Sequence, residues 1–338
     1  MEIKEWKDIK GRGYNALILG NGASIAVNPC FSYSSLYKLM QDKKVFSESI
    51  DKVFNYLETS DFELVLNRMW HSYHINQALE IVDQKTIAAY AEIRQILINA
   101  VRENHVQFGF TQFYIESIYR FLQEFKTIIS LNYDLILYWS MLYGNKALGT
   151  WFKDCFIHGE FRDDWEDLRD PYQASGSTLV FYPHGNLVLA RTIYGEEHKL
   201  MNRLGVGSDN TDNLLNHIFS CWENGKDSPL FVSEGDSKQK VKAIRRSSYL
   251  SKVYDSVLPR IGNNIVIYGW SLAEQDEHIV KQVCNRTVKT IAVSVYTGRS
   301  DTQVRDEMLR ILANIRKYNN DAEVIFFDSN SAGCWIND

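Results

Sequence analysis

No run of apolar residues in this 338-residue chain approaches the length needed to cross a bilayer, which excludes a helical membrane span. The first residues, MEIKEWKD, are acidic and lysine-bearing and lack the apolar stretch of a secretory signal peptide. Cysteine is sparse: Cys30, Cys155, Cys221, Cys284 and Cys334 are odd in number, far apart and never in a CxxC pair. That excludes a disulfide framework and a cysteine zinc site, and the expectation is a protein of a reducing, cytoplasmic compartment. There is no excess of positive charge; the net charge of −5 excludes a chain built mainly to coat nucleic acid. Internal repeats and low-complexity linkers are also missing.

What is present is a normal hydrophobic content of 45% and a heavy aromatic load of 19 Tyr, 17 Phe and 8 Trp, which suits a thick core. The most informative stretch is LILGNGAS, residues 17–24. A buried strand over residues 15–19 runs straight into a glycine-bracketed turn, Gly20-Asn21-Gly22-Ala23-Ser24. Glycines there allow a sharp turn and a close approach to a ligand, and amides at such a turn suit a phosphate. A dinucleotide fingerprint would place a third glycine or alanine where this chain has Ile25, so a plain strand–turn–helix junction explains the same glycines.

Downstream, apolar residues recur at three- and four-residue intervals over residues 34–40, 50–57 and 61–70, with Asp61 as an N-cap. Helical patterning continues over about 75–102 and 111–125. This block is too long for one crossover helix and reads as a helical insertion over about 31–125. His71 and His74, at i and i+3, have no third ligand beside them, so no metal site is expected. A second apolar strand ends at Leu131 and a helix is expected from about Tyr133. Asn132 therefore stands at a strand C-terminus, where open α/β sheets bind ligands. Asn132 is equally good as a helix cap, with Asp134 favouring the helix dipole.

Residues 150–195 form a turn-rich β region that contains two His-Gly pairs, His158-Gly159 and His184-Gly185. A histidine at a strand end beside a glycine suits a general base, and it also suits an ordinary turn. Helix 211–222 and strand 229–233 follow. Lys238, Lys240, Lys242, Arg245 and Arg246 then read as a solvated helix face. Strands at 264–268, 287–296 and 322–327 alternate with helices at 273–284 and 301–318. The expected fold is therefore α/β, a Rossmann-like parallel sheet covered by helices, forming a single domain over residues 1–338.

Taken in order, the pieces are G-x-G-A-S after the first strand, L-N-Y-D after a middle strand, P-H-G in the turn-rich region, and Y-G-W-S-L with Asp276 after a late strand. This order resembles the sirtuin-like NAD-binding proteins, above all the bacterial ones of anti-phage defence that destroy NAD. The segments DFELVL, VSEGDSKQKVKAIRRSSYLSKVY and IYGWSLAEQDEHI also resemble a bacterial group long labelled only as of unknown function. The resemblance implies that Gly20, Gly22, Ala23 and Ser24 form the dinucleotide phosphate turn. It implies that Asn132, supported by Asp134, holds the nicotinamide ribose or the attacking water. His184 becomes the catalytic histidine, with Gly269 and Ser271 on the adenosine side. His158 remains the alternative histidine, although it runs directly into an acidic loop.

The implied function is NAD glycohydrolysis with NAD as substrate and no metal, in an NAD-depleting effector of bacterial anti-phage defence. Two other readings stand beside it. The same fold serves NAD-dependent deacylases and ADP-ribosyl transferases, but sirtuin deacylases carry a zinc-binding cysteine module that this chain lacks. The remaining reading is a non-catalytic module that binds NAD or ADP-ribose. An effector that depletes NAD must be held silent, so a homo-oligomer or a sensor protein is the expected partner. Neither a membrane nor direct nucleic-acid binding is expected.

Overall fold

Runs of β-branched and apolar residues (ALIL, TIIS, TLVF, NIVIY, TIAVSV) are buried almost throughout, as strands covered on both faces must be. The computed structural model, which describes residues 2–32, 36–192, 194–201, 212–225, 227–232 and 236–337, assembles them into one eight-stranded sheet. Its strands are β1 (Ile3–Lys4), β2 (Ala16–Leu19), β3 (Thr127–Ser130), β4 (Phe152–Lys153), β5 (Thr178–Phe181), β6 (Asn264–Tyr268), β7 (Thr290–Val295) and β8 (Glu323–Asp328). Their order is β1-β8-β7-β6-β2-β3-β5-β4, and every pairing is parallel. The expected Rossmann-like α/β architecture is what the chain adopts. From β2 the chain builds outward through β3 to one side and later, from β6, to the other. The β2–β6 pair is thus the point where the winding reverses, which in open parallel sheets opens a crevice at the strand C-termini.

Helices at Asn21–Val27, Leu36–Asp42, Glu48–Tyr56, Phe62–Ala78, Gln84–Asn104 and Phe108–Leu122 fill the chain between β2 and β3. Asp61 caps its helix as expected, accepting from the Leu64 amide at 3.1 Å. The expected continuous helix over 75–102 is two helices instead. Glu80 takes a left-handed φ of 59°, and Asp83 starts a new helix by accepting from the Thr86 amide at 2.9 Å. A local capping preference overrides apolar periodicity there. Helix Ile136–Leu148 also starts later than expected, leaving residues 131–135 as a turn. Ser34, Thr211 and Ser233, at the margins of expected elements, lie outside the described residues.

The turn-rich region supplies β4 and β5, the small hairpin Phe156–Ile157 with Glu160–Phe161, and strand Gly185–Thr192. That strand sits between Glu197–Lys199 and Asp227–Phe231 in a three-stranded antiparallel sheet. The C-terminal segment folds back on the first turn: Trp335, 2% exposed, donates its indole N–H to the Ala23 carbonyl at 2.8 Å.

Candidate active site

Gly20 and Gly22 are where β2 and β6 come closest. The Gly20 amide donates to the Tyr268 carbonyl at 2.9 Å and the Gly22 amide to the Gly269 carbonyl at 2.7 Å. A Cβ on Gly22 would stand 2.8 Å from both the Cα and the carbonyl oxygen of Gly269, and Gly269 itself has a left-handed φ of 65°. Glycine is required on both sides because two backbones pass at contact distance. The Ala23 amide is also used internally, by the Gly20 carbonyl. The turn therefore offers a ligand close approach to bare backbone, while the Gly22 and Ala23 amides are spent within the protein.

A cavity of about 870 Å³ opens over this junction, at the C-terminal ends of β2, β3, β6 and β7. Of the residues expected to form a site, Gly20, Gly22, Asn132, Asp134, His184, Gly269 and Ser271 line it. Ala23 and Ser24 do not; both are buried beneath the turn. Ser24 nonetheless belongs to the same network. Its hydroxyl donates to Asp134 Oδ2 at 2.5 Å and accepts from Asn132 Nδ2 at 2.9 Å. Asn132 Nδ2 also donates to the Gly20 carbonyl at 2.9 Å. With both amide protons committed, the atom Asn132 has left to offer is its acceptor, Oδ1.

The turn over residues 131–135 is held from three sides. Asp134 Oδ1 accepts from the Ile136 amide at 2.9 Å, so Asp134 rather than Asn132 serves the start of the following helix. Buried His105 accepts from the Leu135 amide at 3.0 Å through Nε2, while its Nδ1 pairs with the Val106 carbonyl at 2.7 Å. Burial pushes the His105 pKa down, which suits the neutral ring this arrangement needs. On the third side is Asn186, fully buried, which donates to the Asp134 carbonyl at 2.7 Å. Next to it the Leu187 amide donates to the Tyr133 carbonyl at 2.9 Å. Two segments distant in sequence, Leu131–Leu135 and His184–Leu187, are thereby fastened together. Asn186 was not anticipated. The only sequence signal for it was its place directly after the His-Gly pair.

His184 is 4% exposed and sits in the turn between β5 and strand Gly185–Thr192. Gly185 makes that turn with a φ of 76°, and its would-be Cβ lies 2.0 Å from the Leu230 carbonyl oxygen. His184 Nε2 lies 3.0 Å from Nε2 of His278, a residue that sequence reasoning passed over. Burial, reinforced by the nearby Lys240 charge, holds the His184 pKa well below the ordinary value, so the ring is neutral near pH 7. The alternative histidine, His158, is exposed at the turn of the small hairpin, with a left-handed φ of 52°, and does not line the cavity.

Lys240 departs from the expected solvated face. Its four basic neighbours Lys238, Lys242, Arg245 and Arg246 are exposed, but Lys240 is 6% exposed and donates to Asp276 Oδ1 at 2.8 Å. Asp276 Oδ2 accepts from the Trp270 indole at 3.2 Å. Lys240 and Arg299, the latter paired with Glu307, bring positive charge to the cavity wall. Among the described residues, no three His, Cys, Asp or Glu side chains are grouped to hold a metal ion. The i, i+3 pair His71 and His74 forms no such group; His74 packs edge-on against Trp70. No helix among the described residues is long and apolar enough to cross a membrane.

Comparison with known proteins adds the following. A family model described as "Domain of unknown function (DUF4917)" matches residues 17–335. No curated protein matches the chain. A solved structure described as "Structural Basis for the Mechanism and Regulation of Sir2 Enzymes" aligns over 94% of this chain and 98% of its own, at 10% identity and a TM-score of 0.33.

Proposed function

The chain belongs to the family described as a domain of unknown function, DUF4917, and from that premise and the geometry of the cavity we propose that it is an NAD glycohydrolase. The reaction joins NAD and water to give nicotinamide, ADP-ribose and a proton. One observation carries the reading: Asn132 and His184, from separate segments, are fastened by Asn186 and Leu187 onto one cavity, which also contains the bare-backbone turn at the sheet's winding reversal. Its volume falls in the range of cavities that enclose cofactor-sized ligands, about 300–1,000 Å³.

The chemistry follows from what each residue has left to give. Loss of nicotinamide develops positive charge on the ribose carbon and requires a water or ribose hydroxyl to surrender a proton. Asn132 Oδ1 is an uncharged acceptor, suited to orient such a hydroxyl. The neutral imidazole of His184 is suited to take the proton. Gly20 and Gly22 allow the dinucleotide backbone to lie against the β2–β6 turns, with Lys240 and Arg299 offsetting phosphate charge. Gly269 and Ser271 are assigned to the adenosine side. The order of the four motifs along the chain supports the further reading of an NAD-depleting effector in bacterial anti-phage defence, in a sirtuin-like fold.

Incubating the purified protein with NAD and separating the products by chromatography tests the proposal. Nicotinamide and ADP-ribose should appear in equal amounts. Asn132→Ala and His184→Ala should each lower the rate by about 10²–10⁴-fold while remaining folded. His158→Ala should retain most activity. NAD bound without turnover would reject the hydrolase and leave a binding module. ADP-ribose carried onto protein would identify a transferase.

A further inference from the structure

The deepest polar contact outside the catalytic assignment joins His278, 5% exposed, to His184. His278 lies in helix Glu277–Val283 and does not itself line the cavity. Its other nitrogen, Nδ1, stands 3.3 Å from the hydroxyl of Ser237, and that hydroxyl accepts from the His278 backbone amide at 3.1 Å. A hydroxyl that already accepts one bond has its proton free to donate. Ser237 therefore donates to His278 Nδ1, which leaves the His278 proton on Nε2, directed at His184. His184 in turn hydrogen-bonds the Leu131 carbonyl. A carbonyl only accepts, so the ring nitrogen facing it carries a proton. Since Nε2 faces His278, that nitrogen is Nδ1. All donors in the chain point one way, from Ser237 to His278 to His184 to Leu131.

We propose that His278, aligned by Ser237, is a positioning residue that holds His184 in the tautomer protonated on Nδ1, with Nε2 as its basic atom. This deepens the NAD-cleavage reading and rests on it for its catalytic consequence. A ligand hydroxyl or water that donates to His184 takes the place of the His278 N–H at the same lone pair. The ring is thus set in its accepting form before the ligand arrives. When Nε2 gains a proton, the Leu131 carbonyl remains bound to Nδ1–H and stabilises the imidazolium, the part an orienting acceptor plays in hydrolytic triads. His278 also satisfies a lone pair that would otherwise be buried without a partner.

The test is the side-chain nitrogen spectrum of the full-length protein labelled with 15N-histidine, with His184 and His278 assigned through their alanine variants. His184 should be protonated at Nδ1 alone and His278 at Nε2 alone. His278→Gln, which keeps an N–H donor near the same place, should preserve the His184 tautomer. Ser237→Ala and His278→Ala should each mix it. In NAD cleavage, His278→Ala should lower kcat about 10–100-fold with KM within about twofold, and His278→Gln should restore most of it, as with partners that orient metal-bound histidines. Wild-type His184 protonated at Nε2, or a tautomer unmoved in both Ser237→Ala and His278→Ala, would overturn the proposal. The spectra need no NAD, so a protein with the expected tautomers but no NAD cleavage would reject the functional reading alone.

Discussion

Replacing Gly22 by alanine sets two effects of opposite sign against each other. Gly22 is the second residue of helix Asn21–Val27, and its backbone is not left-handed. Helix propensity alone would favour alanine there by about 1 kcal/mol. Against this, the new Cβ would meet Gly269 Cα and O at 2.8 Å and Gly269 C at 3.1 Å. Carbon–carbon contacts relax at about 3.5–4.0 Å, so one backbone must retreat by roughly 0.7 Å. Overpacking of that kind costs about 1–3 kcal/mol. Retreat also stretches the 2.7 Å bond from the Gly22 amide to the Gly269 carbonyl, costing about 1 kcal/mol more. The net expectation is destabilisation by about 1–3 kcal/mol, or roughly 2–6 °C in Tm for a chain of this size.

Gly109 supplies the matched control. It is also the second residue of a helix, Phe108–Leu122, but a Cβ there would meet nothing within 4 Å. Gly109→Ala should raise Tm by about 1–2 °C. Thermal unfolding of both variants beside the wild type decides the matter. A Gly22→Ala protein as stable as the wild type, or more so, would refute the argument that glycine at this turn is demanded by the approach of two backbones.

Two further outcomes are expected. Burial lowers the His278 pKa to about 4 and that of His184 well below its ordinary value, so both rings bind protons more readily when unfolded. Stability should then be steady above about pH 6.5 and fall as pH drops toward 4. His278 accounts for about 3 kcal/mol of that loss, and His278→Gln should flatten the Tm-against-pH curve. Lys240→Met should cost about 3–5 kcal/mol in urea unfolding by stranding the Asp276 carboxylate, and Lys240→Met combined with Asp276→Leu should recover most of it. A single variant as stable as the wild type would show that the pair is not coupled.

The α/β class and its parallel strands were legible in the chain itself, because buried parallel strands are short apolar runs and Asn264–Tyr268 or Thr127–Ser130 admit few other conformations. The glycine turn was legible for a similar reason: Gly20 and Gly22 beside a buried strand signal close approach, whatever approaches. What approaches was decided only in three dimensions, where the partner proved to be the Gly269 backbone. Asn132 stood out by its place at a strand end, yet its amide is committed through Ser24 and Gly20, residues more than a hundred positions away. Burial separated Lys240 from its solvated neighbours, since one residue in a charged run faces inward only because Asp276 waits there. The choice between His158 and His184 as cavity residues, and the contact of His184 with His278, likewise came from packing. Local sequence carries propensity and periodicity, which act over a few residues. Hydrogen-bond pairing across the winding reversal of a sheet depends on strand order, and no stretch of the chain encodes that order by itself.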